Sequence, residues 1–390
     1  MKILLASDCF TYQTNGVARV VCALARGLRA MGQDVRTLSP SCNLSSFKKD
    51  GDYYIRSVPA LYYKGERMVF NLRDPLIEEL KAWRPDLIHL HTEGGIALLT
   101  DQIKKAVGAP VIMTAHTNYT YYFFGKKWNT LPARTIARGI GGLLYRRADC
   151  LIAPSEKVRS FPYIRPLSDR VRVIPNGIDV SYWRQPVAPE EKAALFRSVG
   201  FEDNGHTLIT VSRLGKEKNI QEILQNLPPI IEEQPDTQLL IVGDGPYRKK
   251  LEALCEGAGL TEHVHFTGMV PSGQVRSYLA MGNVFVSASS FEVHSIAYLE
   301  AMSCGLPLVV KEDDSVKGVV ENGKNGFIFR SGGEFCSAVS KILSDGSLCE
   351  DMGENALLTV DGFREEVFVE RTLALYYEVL EVMKGEGQHE

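Results

Sequence analysis

VFVSASSFEVHSIAYLEAMSCGLPLVV, residues 284–310, decides the fold. It opens on an apolar, β-rich run, VFVSAS (284–289), of the length of one strand. A helix follows from near Ser295, through Ile296, Ala297, Tyr298, Leu299, Glu300, Ala301 and Met302, until Gly305 and Pro307 stop it. A second strand-like run, PLVVKE (307–312), comes next. Two strands that bracket a helix predict parallel pairing with a crossover, the unit of a doubly wound sheet.

The same alternation fills the rest of the chain. KILLAS (2–7), DVRTLS (34–39), DLIHLH (86–91), PVIMTAH (110–116), CLIAPS (150–155) and VRVIPNG (171–177) form one series with helix-length segments between them. TLITVSR (207–213), QLLIVGDG (238–245), HVHFTG (263–268), the two runs above and GFIFR (326–330) form a second. The expected class is α/β, with two Rossmann-like doubly wound domains. Between the series, SYWRQPVAPEEKAALFRSVGFEDNGH (181–206) carries prolines and charges but no strand-like run. The expected domains are 1–185 and 186–364. A last helix, 365–384, has apolar spacing at Val369, Leu373, Tyr376, Tyr377, Leu380 and Met383 and is expected to pack back on the first domain. Ligands of open α/β sheets lie beyond the carboxyl ends of the strands, so two such sheets facing each other are expected to frame one cleft.

At 390 residues, with 45% hydrophobic and 23% charged content, the chain has the composition of an ordinary globular protein and the length for two domains. No run of about 18 uncharged apolar residues occurs, which excludes a membrane-spanning helix. MKILLASDCF turns polar at Ser7 and Asp8 before a signal-peptide core can form, and reads as a buried first strand. The eight cysteines show neither CxxC nor zinc-site spacing, the usage of reduced thiols in a cytosolic protein. The net charge of −3 is split: residues 1–180 hold 26 Lys+Arg against 15 Asp+Glu, and residues 181–390 hold 18 against 32. Either the first half meets something anionic, or the two surfaces complement each other.

Several stretches could carry chemistry. The free amides and positive dipole end of the helix opening at Ser295, Ile296 and Ala297 suit an anion such as a diphosphate. Glu300, in the second turn, could accept hydrogen bonds from ribose hydroxyls, and Glu292, in the loop before it, could reach a sugar hydroxyl. Read alone, the stretch equally fits Ser295 as an ordinary N-cap beside acids that favour a helix start. VSRLGKEKNI (211–220) places Arg213 and Lys218 just past a strand, where two cations would stabilise a departing diphosphate. Alone, it would read as a surface charge cluster. GDGP (243–246) lacks GxGxxG spacing. FTGMV (266–270) could offer backbone groups of Met269 and Val270 to a base, and PNGID (175–179) reads as a turn with Gly177 at positive φ.

FTYQTNGVARVVCALARGL, HTE, AHTNYTYYF, PNGID, SRLGKEKN, GDGP, FTGMV, Glu292 and Glu300 with EAMSCGLP, and ENGKNGFIF, in this order from about residue 3 to 330, resemble the retaining GT-B glycosyltransferases of family 4. The resemblance implies that the second domain holds most of a nucleotide sugar. Arg213 and Lys218 would bind the diphosphate, Glu300 the ribose, Glu292 the donor sugar and Val270 the base. Gly16 would let backbone approach the phosphate, and His116 would sit near the sugar hydroxyls. It also implies that the departing phosphate takes the acceptor's proton, with retention at the anomeric carbon. Many relatives carry glycine where this chain has Ser295, so the Val293-His294-Ser295 loop narrows the phosphate seat and turns His294 into a candidate donor contact.

HTE (91–93) and AHTNYTYYF (115–124) further resemble the bacterial diacylglycerol glucosyltransferases within that family. UDP-glucose is the expected donor, a substrate rather than a cofactor, and no cofactor is expected. Tyr119, Tyr122, Phe123, Lys126, Lys127, Trp128, Arg134 and Arg138 interleave cations with aromatics, as an interfacial surface for anionic lipid does. A solvated face over a core helix has the same composition. The expectation is a peripheral enzyme on the inner face of the cell membrane with a lipid acceptor, no nucleic-acid partner and no metal site. The DGD at 50–52 lies in a polar turn, and Glu312, Asp313 and Asp314 read as a solvated run. A glycan or small-molecule acceptor, an NDP-sugar epimerase of the same shape, and a non-catalytic nucleotide-sugar binder remain as alternatives.

Overall fold

The computed structural model describes residues 1–9, 16–59, 67–71, 73–118 and 131–386, the side chains at 133, 134, 137, 138, 140, 385 and 386 excepted. The chain forms two compact units, 1–177 with 365–390, and 178–364. In the first, strands β1 (Lys2–Ala6), β2 (Asp34–Pro40), β3 (Phe47–Lys49), β4 (Asp52–Ile55), β7 (Leu87–Leu90), β8 (Val111–Thr114), β9 (Cys150–Ala153) and β10 (Val171–Val173) make one sheet. Its order is β10-β9-β8-β7-β1-β2-β4-β3. Every pair is parallel except β3 with β4. A separate ribbon pairs β5 (Val58–Pro59) with β6 (Arg67–Met68).

The second unit holds β11 (Thr207–Val211), β12 (Gln238–Val242), β13 (Val264–Gly268), β14 (Val284–Ser287), β15 (Leu308–Lys311) and β16 (Gly326–Phe329), in the order β13-β12-β11-β14-β15-β16. All pairs are parallel. Successive side chains of a strand point to opposite faces. Ile209, Leu240, Val242, Phe285, Leu308 and Val310 accordingly join one apolar cluster, and Leu208, Leu239, Ile241, Val284, Val286 and Val309 the other. A sheet buried on both faces needs such continuous apolar runs, which is why all the strands expected from the sequence are present.

The junction falls between Gly177 and Ile178, ahead of the expected 185/186, because Ile178, Val180 and Trp183 belong to an apolar cluster of the second unit. Gly177 is not among the positive-φ glycines, and the next residue, Ile178, forms a parallel bridge with Arg364. The last helix, Glu365–Glu386, lies in the first unit. Val369, Leu373 and Tyr376 are buried, whereas Tyr377 and Met383 are exposed, since Phe368, Thr372 and Leu375 complete the buried stripe instead. A Cβ on Gly27 would stand 2.5 Å from the Val369 side chain, so that glycine lets the helix Gly16–Ala30 come close.

The strands the sequence reading passed over, β3 to β6, are short. The DGD turn joins β3 to β4 with Asp50 and Gly51 both at positive φ, as a two-residue hairpin requires. Asp52 accepts hydrogen bonds from Arg29 and Thr37. Glu312 pairs with Arg330, Asp314 with Lys317, and Asp313 caps the turn at Ser315. Among the described residues, Cys22, Cys42, Cys150, Cys255, Cys304, Cys336 and Cys349 form no disulfide. Among the described residues no helix is long and apolar enough to cross a membrane.

Candidate active site

In the second sheet, the chain leaves β11 toward β12 and leaves β14 toward β15, on opposite sides. The crevice at such a reversal is where open α/β sheets bind ligands. Lys218 follows β11 and Glu292 follows β14, and Lys218 Nζ donates to Glu292 Oε1 at 2.6 Å. Both side chains are mostly buried, at 23% and 15% exposure, so the pair is shielded from bulk screening. A half-buried pair of this kind is costly to break from one side, because the remaining charge stays desolvated.

The Lys218 loop is set from below by the GDGP turn. Ser212 N donates to Val242 O, Leu214 N to Asp244 O and Tyr247 N to Leu214 O, tying the exits of β11 and β12 together. A Cβ on Gly243 would lie 2.0 Å from Ser212 O, and Gly243 has φ 132°. Only glycine accommodates both, and the turn ties the exits of β11 and β12 together. Arg213 is exposed at the β11 exit.

Helix Ile296–Ser303 starts where the sequence places it. Ser295 is its N-cap residue in extended conformation, but its hydroxyl makes no capping hydrogen bond. Ser295, Ile296 and Ala297 are half-buried, and Glu300 is buried at 3% exposure. Tyr298 donates to Ser287 Oγ at 2.9 Å; burial holds its phenol well above the usual range, and the Glu292 charge adds to that. His294 is 8% exposed beside the Phe363 ring, and both its ring nitrogens are buried without a hydrogen-bond partner. Burial pulls its pKa down to about 4. Val270 is half-buried against the core next to exposed Met269, after Gly268 at φ 75°.

The first unit carries a different group of side chains at its own reversal, between β1 and β7. Asp8, past β1, accepts from Thr92 Oγ1 at 2.7 Å, Gly94 N at 2.9 Å and Ile96 N at 3.1 Å, closing the start of helix Gly95–Val107. Burial nevertheless raises its pKa, against those hydrogen bonds. At the end of β7, His91 Nδ1 meets His116 Nε2, past β8, at 3.1 Å. His89 bridges Tyr376 of the last helix, at 2.5 Å, and Thr114, at 2.7 Å. Burial brings His89 to about 3, His116 to about 4 and His91 well below its usual value, so all three are neutral near pH 7. Tyr145 donates to Glu93, and Tyr163 stacks on Tyr145 while donating to Thr117 O at 2.9 Å.

The structure thus brings Lys218, Glu292 and the opening of the Glu300 helix together, and His116 onto His91. Gly16 opens helix Gly16–Ala30. Sequence reasoning passed over Asp8, His89 and the Asn219 side chain described below; the first two sit in ordinary-looking strand ends, and only strand order reveals their partners. Tyr119, Tyr122, Phe123, Lys126, Lys127 and Trp128 lie outside the described residues, as do the side chains of Arg134 and Arg138.

Residues 14–182 match the family model Glycosyltransferase Family 4, and residues 191–358 match Glycosyl transferases group 1. The chain is 25% identical over 391 residues to the alpha-monoglucosyldiacylglycerol synthase of Acholeplasma laidlawii, covering 98% of each chain. It is 28% identical over 360 residues to the alpha-monoglucosyldiacylglycerol synthase of Streptococcus pneumoniae, covering 92% of this chain and 81% of that one. Among solved structures, Anabaena HepE in complex with UDP-glucose superposes with a TM-score of 0.75 at 17% identity, over 97% of this chain and 100% of that one. Two largely parallel sheets, each with a crevice where strand order reverses, and family models that take one half apiece lead to one assignment: the chain belongs to the GT-B glycosyltransferases of family 4 and group 1.

Proposed function

We propose that this glycosyltransferase moves glucose from UDP-glucose to a membrane lipid such as diacylglycerol, with retention at the anomeric carbon, at the inner face of the cell membrane. The observation that carries the reading is the 2.6 Å pair of Lys218 and Glu292 at the reversal of the second sheet, beside the opening of the helix that bears Glu300. A cation for a diphosphate and a carboxylate for sugar hydroxyls are what a nucleotide-sugar site needs there. The lipid acceptor is supported by the names of the two diacylglycerol-glucosylating relatives.

In this reading Arg213, Lys218 and the amides of Ser295, Ile296 and Ala297 hold the diphosphate, and Glu300 the ribose. Val270 is given to the base, and Gly16, which has no Cβ, to the phosphate. Glu292 and His294 contact the sugar. His116, neutral at pH 7, serves as a hydrogen-bonding group to the sugar rather than as an acid. The bond from the anomeric carbon to the phosphate oxygen breaks, the acceptor oxygen bonds to that carbon on the same face, and its proton passes to the departing phosphate. Arg213 and Lys218 meet the charge that develops, so no added metal is required. The aromatic and basic segment 119–138 gives the membrane contact.

Purified full-length protein, diacylglycerol vesicles and UDP-glucose are expected to release UDP in the presence of a chelator, and proton NMR of the glycolipid is expected to show an α-anomer. No turnover across a panel of nucleotide sugars and lipids would defeat the reading, and isomerisation of the sugar nucleotide without acceptor would replace it with an epimerase.

A further inference from the structure

We propose that Asn219 is a positioning residue for Lys218, acting through a half-buried polar chain that ends on β15. The inference deepens the nucleotide-sugar reading above and rests on it for its functional consequence. Lys216–Lys218 form one 3-10 turn, and Asn219 follows with φ 54° and ψ 32°, a left-handed conformation that asparagine tolerates better than most residues. Glycine would serve that backbone equally well, so the side chain calls for a separate explanation.

Its amide is fully engaged. Asn219 Nδ2 donates to Ala288 O at 3.2 Å, where the chain has just left β14, and to Glu222 Oε2. Its Oδ1 accepts from Gln221 Nε2 at 2.5 Å. Glu222 in turn accepts from Lys311 Nζ at 2.6 Å and 2.5 Å, and Lys311 is the last residue of β15. Three adjacent strand exits, those of β11, β14 and β15, are therefore tied by one amide, one carboxylate and one ammonium.

This ties Lys218 to Glu292 twice. Glu292 is four residues beyond Ala288 and holds Lys218 through the ion pair; Asn219, the next residue after Lys218, holds the backbone of the same loop. Lysine has a long, flexible stem and three rotatable donors, so an ammonium fixed in a crevice needs its backbone fixed first. Glu222 and Lys311 orient the amide, because an amide can satisfy two loops at once only if its plane is held.

Two measurements on the full chain test this. In ligand-free protein, mass spectrometry reads the rate at which an amine-acylating reagent modifies Lys218, with Lys324 as the internal standard. Asn219→Gly keeps the backbone conformation and removes the tether, and is expected to speed Lys218 modification about fivefold with Lys324 unchanged. That factor corresponds to about 1 kcal/mol. Glu222→Ala, which leaves residue 219 untouched, is expected to act in the same direction, and thermal melting checks that both variants fold. An unchanged Lys218 rate in both overturns the inference, whatever the substrate proves to be.

UDP affinity by calorimetry then reads the functional link. Asn219→Gly is expected to weaken UDP about fivefold in the natural background and not at all beside Lys218→Ala, since the two act through one ammonium. Equal weakening in both backgrounds would mean that the tether acts elsewhere and would overturn the positioning role. Should Lys218→Ala itself leave UDP affinity unchanged, the nucleotide-sugar reading falls, while the acylation rate still decides the tether.

Discussion

Both sheets reverse direction once, between β1 and β7 and between β11 and β14, and they fill these equivalent places with opposite chemistry. The first holds neutral histidines, His91 on His116 and His89 between Tyr376 and Thr114, with the Asp8 carboxyl folded onto the amides of Gly94 and Ile96. The second holds charge, in the Lys218–Glu292 pair and exposed Arg213. The same strand order thus carries a histidine hydrogen-bond cluster in one unit and an ion pair beside an exposed cation in the other. The side chains after the strands decide which, not the fold.

Acid should separate the two units most. A histidine whose folded pKa lies below its unfolded value near 6.5 leaves stability unaffected above pH 6.5 and lowers it as pH falls toward the folded value, because only the unfolded chain takes the proton. His89, at about 3, and His116, at about 4, define that window, with His91 shifted in the same direction. Each costs on the order of 1 kcal/mol per pH unit within its window; in the second unit His294, at about 4, and His265, also lowered by burial, act in the same direction but stand outside any such cluster. Asp8 works against them only near its own raised value, where protonation relieves its burial. Hydrogen exchange at pH 5 against pH 7 is expected to show β1, β7 and β8 losing protection well before β11 and β14. Equal loss in both sheets would erase the contrast.

Lys218→Ala comes next. It strands Glu292 in a mostly buried place and, on the proposed reading, removes a charge that meets the diphosphate, and is expected to lower turnover about 10²-fold or more, roughly 3 kcal/mol. Steady-state UDP release checks it. Tyr376→Phe, in the first unit, takes the hydroxyl from His89 Nδ1 and is expected to lower urea stability by about 2 kcal/mol, the cost of an unpaired buried polar atom. The smallest effect has the opposite sign. His294→Phe replaces a ring with two unpaired buried nitrogens by an apolar one of similar shape, and is expected to raise stability by about 1 kcal/mol and the melting point by a few degrees. If the same variant loses discrimination among UDP-sugars, the imidazole is kept for the donor.

Much of this was legible in the sequence. Parallel strands buried on both faces must be written as apolar runs, so the two series stand out, and the helix start at Ser295 follows from local chemistry alone. What the sequence could not show are meetings across strand order. Lys218 and Glu292 are 74 residues apart and His91 and His116 are 25 apart; both pairs meet only because their strands are close in a sheet whose order the chain does not spell. The junction was set eight residues late because Val180 and Trp183 sit in a polar stretch, yet their side chains are buried in the second unit's core. His294 was read as a donor contact from its neighbours; its burial against Phe363 depends on residues 69 positions away.

The chain leaves the first unit at Gly177 and rejoins it at Glu365, with Ile178 and Arg364 bridged side by side. During synthesis, the inserted unit has emerged in full before the helix bearing Val369 and Tyr376 leaves the ribosome. The earlier-made portion must wait, with the faces of Gly27 and His89 uncovered, for the last stretch of chain to close it. Ribosome-stalled chains in which a flexible linker replaces everything from residue 365 onward, long enough to carry residue 364 clear of the exit tunnel, should accordingly contain a protease-resistant middle and a cleavable beginning.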